Sequence, residues 1–255
     1  MGIAHDLYDM TGKTAVITGA GRGIGEGIAM VLADAGAAVV LAARRTAEVE
    51  RVAAVIRAAG GRAIAVTTDV TDEEAVAALA QAAVDEYGSL DTWVNNAGGS
   101  PVRAPLTDLD PIEWQRTMDL NMTAVYRCTL AAVPHMMVDD RGGSIINITS
   151  MASFVGTPGS GHYAAAKRAV NSLTETFALE LAPLIRVNGI APGAVPTEIM
   201  MTALGVDEQT VQRFATKIPL GRLGTPIDLG AVALFLASDA SAWITGQTLA
   251  VAGGR

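Results

Sequence analysis

Along this chain, short runs of β-branched and small apolar residues alternate with longer stretches whose apolar positions recur at helical spacing. The runs at Thr14–Thr18, Ala38–Ala42, Ala63–Thr67, Asp91–Asn95, Ser144–Thr149, Arg186–Ile190 and Thr248–Val251 predict strands. Most are continuously apolar, as expected of parallel strands covered on both faces. Helices are predicted over Ile24–Ala35, Ala47–Ala59, Glu73–Tyr87, Pro111–Met137, Tyr163–Leu181 and Pro226–Ala237. This repetition predicts an α/β fold, an open doubly wound parallel sheet of about seven strands with right-handed crossovers and helices on both faces. No Pro- or Ser-rich linker divides the sequence, so residues 1–255 are expected to form one domain. One segment breaks the rhythm. From Pro192 to about Lys217 strand character is poor, yet Ile199, Met200 and Met201 are apolar. A substrate lid over residues 194–217 is expected, with a helical surface insertion as the alternative.

Half the residues are hydrophobic but only 4% are aromatic, so the core must be built from Ala, Val, Ile and Leu. The net charge of −8 argues against a general affinity for nucleic acid and against an acidic protein partner. Cys128 is the only cysteine and sits in an apolar helical stretch beside Tyr126 and Leu130, which suggests a buried thiol. Residues 1–11 mix His5, Asp6 and Asp9 with apolar positions and resemble no signal peptide. No uncharged apolar run approaches a membrane span, since Glu26 and Asp34 interrupt even the Ala-rich helix after Gly25. A cytoplasmic protein without a membrane partner or a metal site is expected.

The first strand runs into Thr18-Gly19-Ala20-Gly21-Arg22-Gly23-Ile24-Gly25, and a helix follows. Glycines suit a turn whose backbone must approach a pyrophosphate, and the helix N-terminus offers free amides to that anion. The spacing is Thr-Gly-x-x-x-Gly-x-Gly rather than Gly-x-Gly-x-x-Gly. Placement between strand one and helix one favours a Rossmann-type nucleotide site over an ordinary tight turn. An acid ending the second strand would bind the adenosine ribose of NAD(H), but Ala43 stands there, followed by Arg44 and Arg45. Arginines can stack on adenine and grip a 2′-phosphate, and Arg22 could reach the same group. NADP(H) is therefore favoured, with NAD(H) possible and a merely solvated arginine pair as the alternative. Asp69-Val70 after strand three could hold the adenine edge, or Asp69 could cap a helix. Asn95-Asn96-Ala97-Gly98 ends strand four, where a ligand crevice or a simple turn is expected.

Tyr163 and Lys167 lie four residues apart in a helical stretch and so share one face. A phenol, with a pKa of about 10, needs a neighbouring cation to act as a base near neutrality. Ser150 closes the fifth strand, where its hydroxyl could donate to a substrate oxygen or merely cap a turn. Asn121 places a polar side chain inside a long helical pattern, which calls for local hydrogen-bond satisfaction or a water relay to Lys167.

Together with Pro192-Gly193 and Gly246-Gln247, and in this order, these motifs resemble those of single-domain short-chain dehydrogenases/reductases along essentially the whole chain. The resemblance implies that Tyr163 transfers a proton, Ser150 orients the reacting oxygen, Lys167 holds the nicotinamide ribose and lowers the Tyr163 pKa, and Asn121 supports a water relay. It also implies nicotinamide contacts near Gly193, Val195 and Thr197. The family usually forms tetramers, so a homotetramer or homodimer is implied, with the Pro111–Met137 and Tyr163–Leu181 helices at an interface. Ala252 departs from the Asp that commonly precedes the terminal Gly-Gly.

Expected substrate walls are Gly99–Arg103, Met151–Gly161 and Ala194–Met201, with Val102, Met151, Phe154, Val155, Ile199 and Met200 but few charges beyond Arg103 and Glu198. They favour a hydrophobic ketone or secondary alcohol. Short motifs around Gly99, Met151 and Ala194 resemble those of bacterial hydroxysteroid dehydrogenases. Reduction of 3-ketoacyl groups on acyl carrier protein is the alternative, weakened by Asp139, Asp140, Glu175 and Glu180 where cations would greet an acidic carrier. A catalytically silent NADP-binding scaffold is a third possibility, although Ser150, Tyr163 and Lys167 are all retained.

Overall fold

The computed structural model describes residues 2–196, 213 and 215–254. Seven parallel strands among them join one sheet: β1 (Thr14–Thr18), β2 (Ala38–Ala43), β3 (Arg62–Thr67), β4 (Thr92–Asn95), β5 (Gly143–Ile148), β6 (Ile185–Pro192) and β7 (Thr248–Val251). Their order is β3-β2-β1-β4-β5-β6-β7. The chain winds outward one way from β1 and then the other way from β4, which leaves a crevice at the reversal, beyond the carboxyl ends of β1 and β4. Ile17 is level with both Leu41 of β2 and Val94 of β4, so these three strand ends open together.

Residues of successive parity feed opposite layers. Ala15, Ile17, Val39, Leu41, Ile146 and Ile190 pack under α2 (Gly23–Asp34), α3 (Thr46–Ala58) and a C-terminal helix, α8 (Pro226–Ala237). Val16, Val40, Trp93, Ile145 and Val187 pack under α4 (Glu73–Tyr87), α6 (Ala124–Met136) and α7 (Gly161–Glu180). Both faces are therefore buried in the middle of the sheet, and burial lapses mainly at the edge strands β3 and β7. Cys128 lies in the second layer, where burial pushes its thiol up to about 12, so it packs as a small apolar group.

The predicted strands differ from the observed ones mainly at their ends; β6 runs on to Pro192, which pairs in register with Val251. A short helix, α1 (Ile3–Leu7), was not expected from the sequence pattern. The continuous helix expected over Pro111–Met137 is instead α5 (Pro111–Met118), a π-helical turn over Asp119–Thr123, and α6. The cause is Asn121. Its amide reaches both the Thr117 carbonyl and the backbone of Gly99 outside the helix, and the wider turn accommodates these bonds. No helix among the described residues is long and apolar enough to cross a membrane. The expected lid lies mostly outside the described residues, at positions 197–212 and 214.

Helix α2 is pressed against α8 by two glycines. A β-carbon on Gly230 would stand 2.8 Å from the Gly27 carbonyl oxygen, and one on Gly27 would stand 2.6 Å from the Pro226 backbone. Because α2 carries the glycine-rich turn at its start, this contact also sets the height of that turn. Gly27→Ala is expected to cost about 1–3 kcal/mol through overpacking; an unchanged urea midpoint would contradict this.

Candidate active site

The site begins at the reversal point. The Thr18 hydroxyl donates to the Val94 carbonyl at 3.2 Å and accepts the Asn96 and Ala97 amides, each at 3.0 Å. The Asn96 side chain donates back to the carbonyls of Thr18 (2.9 Å) and Gly19 (3.1 Å). The ends of β1 and β4 are thus tied by five hydrogen bonds involving Thr18, Gly19, Asn96 and Ala97. Gly19 has φ +65, and a β-carbon on Gly25 would meet the Gly19 carbonyl and stand 2.5 Å from the Asn96 amide nitrogen. The turn is therefore closed to larger residues from below. From the side, Arg51 binds both oxygens of Glu26 at 2.9 Å and the Gly21 carbonyl at 3.1 Å. No motif spacing pointed to Arg51 or Glu26.

Above this turn runs a cleft of about 1020 Å³. Gly19, Gly21, Arg22, Gly23 and Ile24 form its floor, with Ala43, Arg44 and Arg45 at the β2 end. Asp69 and Val70 line the wall beside them, while Asn96, Ala97 and Gly98 line the middle. Ser150, Tyr163, Lys167, Pro192, Gly193 and Val195 line the far end. Two of the expected residues are not on this surface, and a third lies outside the described residues. Gly25 lies beneath the turn, Asn121 is buried behind Gly98 and Gly99, and Thr197 lies outside the described residues. Gly99, Ser100, Arg103 and Ser160 line the cleft from the expected wall stretches Gly99–Arg103 and Met151–Gly161, and Glu48, Thr68 and Leu120 line it without having been expected there.

The β2 end is cationic but not purely so. Arg45 pairs with Glu48 at 2.8 Å, and Glu48 fills the space a β-carbon on Gly21 would need, 2.8 Å from its own Cβ. Burial works to raise the Asp69 carboxyl, but hydrogen bonds from Thr71 and the charge of Arg44 outweigh it and hold the group below its ordinary value. Asp69 does not cap α4, a task taken by Asp72. A cleft floored by glycine amides at a helix start, with guanidinium groups at one end, fits a dinucleotide with its pyrophosphate on the turn.

At the other end, α7 presents Tyr163 and Lys167 one turn apart. Lys167 is 3% exposed; its Nζ donates to the Ile148 carbonyl at 2.8 Å and lies 5.8 Å from the Tyr163 ring centroid. Burial pushes Lys167 down to about 8. Tyr163 is pushed up by burial, with a hydrogen bond from Ser150 as the opposing influence. The expected lowering by Lys167 is therefore not what the protein's own groups produce, because desolvation of the phenolate dominates. Ser150 also accepts the Ala152 amide at 3.1 Å, so it both caps a turn and faces the cleft.

Asn121 is fully buried. Its oxygen accepts the Gly99 amide at 2.7 Å, and its nitrogen donates to the carbonyls of Gly99 (2.9 Å) and Thr117 (3.0 Å). These contacts satisfy the Asn121 amide locally. A β-carbon on Gly98 would stand 2.8 Å from Asn121 Oδ1 and 3.1 Å from Lys167 Nζ, so Gly98 lets both close on the same stretch of backbone. Asn95 turns the other way, into the core. It accepts from Trp93 at 2.8 Å and donates to Asn147 at 2.9 Å, and Asn147 donates to Thr174 of α7 at 2.9 Å. Of the expected apolar wall residues, Ile199 and Met200 lie outside the described residues. Val102, Met151, Phe154 and Val155 do not line this cleft; Phe154 and Val155 are exposed, and Val155 faces a separate surface hollow. Among the described residues, no group of His, Cys, Asp and Glu is arranged to hold a metal.

Residues 19–255 match the family model described as enoyl-(acyl carrier protein) reductase. A trans-4-hydroxycyclohexanecarboxylate dehydrogenase of Sinomonas cyclohexanicum is 43% identical over 250 residues, covering 95% of this chain and 92% of its own. A 3-oxoacyl-acyl-carrier-protein reductase of Thermotoga maritima is 34% identical, covering 96% of this chain and 98% of its own. The solved structure of a 7α-hydroxysteroid dehydrogenase complexed with NADH and 7-oxo glycochenodeoxycholic acid superposes with a TM-score of 0.92 at 37% identity, covering 100% of this chain and 98% of that one. With its parallel sheet, its glycine turn and relatives of this kind along nearly its full length, the chain belongs to the short-chain dehydrogenase/reductase family.

Proposed function

We propose that this protein is an NADP(H)-dependent oxidoreductase that interconverts a ketone and a secondary alcohol on a largely apolar, cyclic body. The observation that carries the reading is the convergence of Ser150, Tyr163 and Lys167 on the cleft whose other end holds the glycine turn and Arg44. When bound, the nicotinamide supplies or accepts the hydride. Tyr163, held neutral by burial, donates its phenolic proton to the carbonyl oxygen as the alcohol forms. Ser150 steadies the same oxygen. Lys167, anchored on the Ile148 carbonyl, offers its remaining ammonium protons to a ribose hydroxyl. Asn121 acts as a positioning residue that pins the Gly99 backbone at the cleft, where a nicotinamide would be held. Ala43 and the free approach to Arg44 favour a 2′-phosphate over a bare ribose. The cyclic substrates named for the cyclohexanecarboxylate and steroid relatives support the substrate class.

Reduction of a carrier-bound 3-ketoacyl group is the second reading, supported by the names of the family model and the Thermotoga relative. Exposed Asp139, Asp140, Glu175 and Glu180 oppose an acidic carrier. We also propose that the chain assembles into a homotetramer or homodimer. Ile112, Trp114, Tyr126, Leu130 and Leu179 are exposed on α5, α6 and α7, where a second copy would cover them. A cytoplasmic location remains part of the same proposal.

Tyr163→Phe is expected to lower ketone-dependent NADPH oxidation by about 10²–10⁴-fold while NADPH still binds; equal rates would sink the mechanism and favour a silent scaffold. Arg44→Ala is expected to reduce kcat/KM for NADPH by about 10-fold or more, with little change for NADH. A native enzyme that prefers NADH would refute the role given to Ala43 and Arg44. Because Lys167 keeps its ammonium only below about 8, kcat/KM for NADPH is expected to be level below that pH and to decline above it. A profile flat to pH 10 contradicts the assignment.

A further inference from the structure

The catalytic end of the cleft holds a cation that the proposed reaction does not use. Arg103 lines the cleft together with Ser100, Ser160 and Tyr163, and it is exposed. Its root is held on both sides. Gly99 is clamped by Asn121 through two hydrogen bonds, and the Ala104 amide donates to the Gly159 carbonyl at 3.0 Å. Ser100 is fixed in turn by a 2.9 Å hydrogen bond to buried His162, the neighbour of Tyr163. The guanidinium lies across Gly159, whose φ is +78; a β-carbon there would stand 3.7 and 3.8 Å from Nη2 and Nε. A short, tied loop therefore places the fork of Arg103 just ahead of the helix that carries Tyr163.

No protein group answers this charge among the described residues, where Arg103 has no ion pair and no hydrogen bond. The carboxylates that follow it in sequence are already engaged. Asp108 accepts from Thr107 at 3.0 Å, Asp110 caps the Ile112 amide at 2.8 Å, and Glu113 pairs with Arg116 at 2.6 Å. The nucleotide does not account for it either, since Arg22, Arg44 and Arg45 gather around the glycine turn and the end of β2, at the opposite end of the cleft. The same cleft is also lined by apolar Leu120, Ile148 and Val195.

Resting on the oxidoreductase reading of this site, we propose that Arg103 is a specificity-determining residue that anchors a carboxylate at the far end of the substrate, so that the substrate is a keto or hydroxy acid with an apolar body. A guanidinium takes a carboxylate bidentately, which fixes distance and orientation together. A tail held at Arg103 sets which carbonyl along the body reaches Tyr163 and Ser150.

The test uses paired probes of one shape, 4-acetylbenzoate and 4-acetylbenzamide, with the native enzyme, Arg103→Ala and Arg103→Lys. Two quantities are read: kcat/KM with NADPH, and the Kd of each probe in the dead-end complex with NADP⁺. The native enzyme is expected to favour the acid. Arg103→Ala lowers the acid-to-amide ratio by about 10-fold, mainly through KM, and Arg103→Lys lowers it less because charge is kept and the fork is lost. A native ratio near one, or a ratio unmoved by Arg103→Ala, overturns the proposal. A second pair, acetoacetyl-phosphopantetheine and its dephosphorylated form, separates the anion's source. A ratio that responds to Arg103→Ala only in this pair assigns the guanidinium to a phosphate and overturns the carboxylate. The dead-end Kd does not depend on turnover, so failure of Arg103 is distinguishable from failure of Tyr163.

Discussion

The hydrogen bonds that tie Thr18 to Asn96 and Ala97 hold this molecule together where it has most reason to come apart. At the reversal of a doubly wound sheet, β1 and β4 end side by side and their chains leave in different directions. The exposed backbone groups there need partners, and a gap is unavoidable. One threonine hydroxyl and one asparagine amide satisfy the groups and set the width of the gap. The glycine turn hangs from the same bonds, because Gly19 and Gly25 both approach the Asn96 amide too closely for a β-carbon.

From that tie the site extends in two directions with opposite character. Toward β2 the cleft is charged and open, and Arg44, Arg45, Glu48 and Asp69 balance one another across it. Toward α7 burial governs Tyr163 and Lys167, while Arg103 stays exposed. The same desolvation that keeps Tyr163 protonated lowers Lys167, so the pair is poised to give a proton before it is poised to take one. A buried polar relay from Trp93 through Asn95 and Asn147 to Thr174 locks α7 onto the sheet and so holds both residues at their height.

Much of this was legible in the chain itself. Periodicity located the strands and most helices, because in a parallel sheet burial on both faces leaves an unbroken apolar run. Glycine spacing marked the turn, since a left-handed backbone and a close approach both exclude a β-carbon. Sequence order alone marked Ser150, Tyr163 and Lys167 as a set. Pattern could not show that Asn121 would divide a helix, because an amide's partners are decided by whichever backbone lies opposite. Met151, Phe154 and Val155 were expected on the substrate wall, yet they are not among the residues that line the cleft.

The sequence by itself determined the order of elements, the nucleotide turn and the types of group available for proton transfer, all of which depend on local spacing. Only the tertiary structure decided their working state. Burial sets the direction in which Tyr163 and Lys167 are shifted, and desolvation is a property of everything packed around a group rather than of its neighbours in sequence. Likewise, Arg103 stands in the sequence as one of the few charges on an expected substrate wall, with no sign of what it would bind. Its meaning comes from the fold, which engages the nearby carboxylates elsewhere and ties its loop at Gly99 and Gly159.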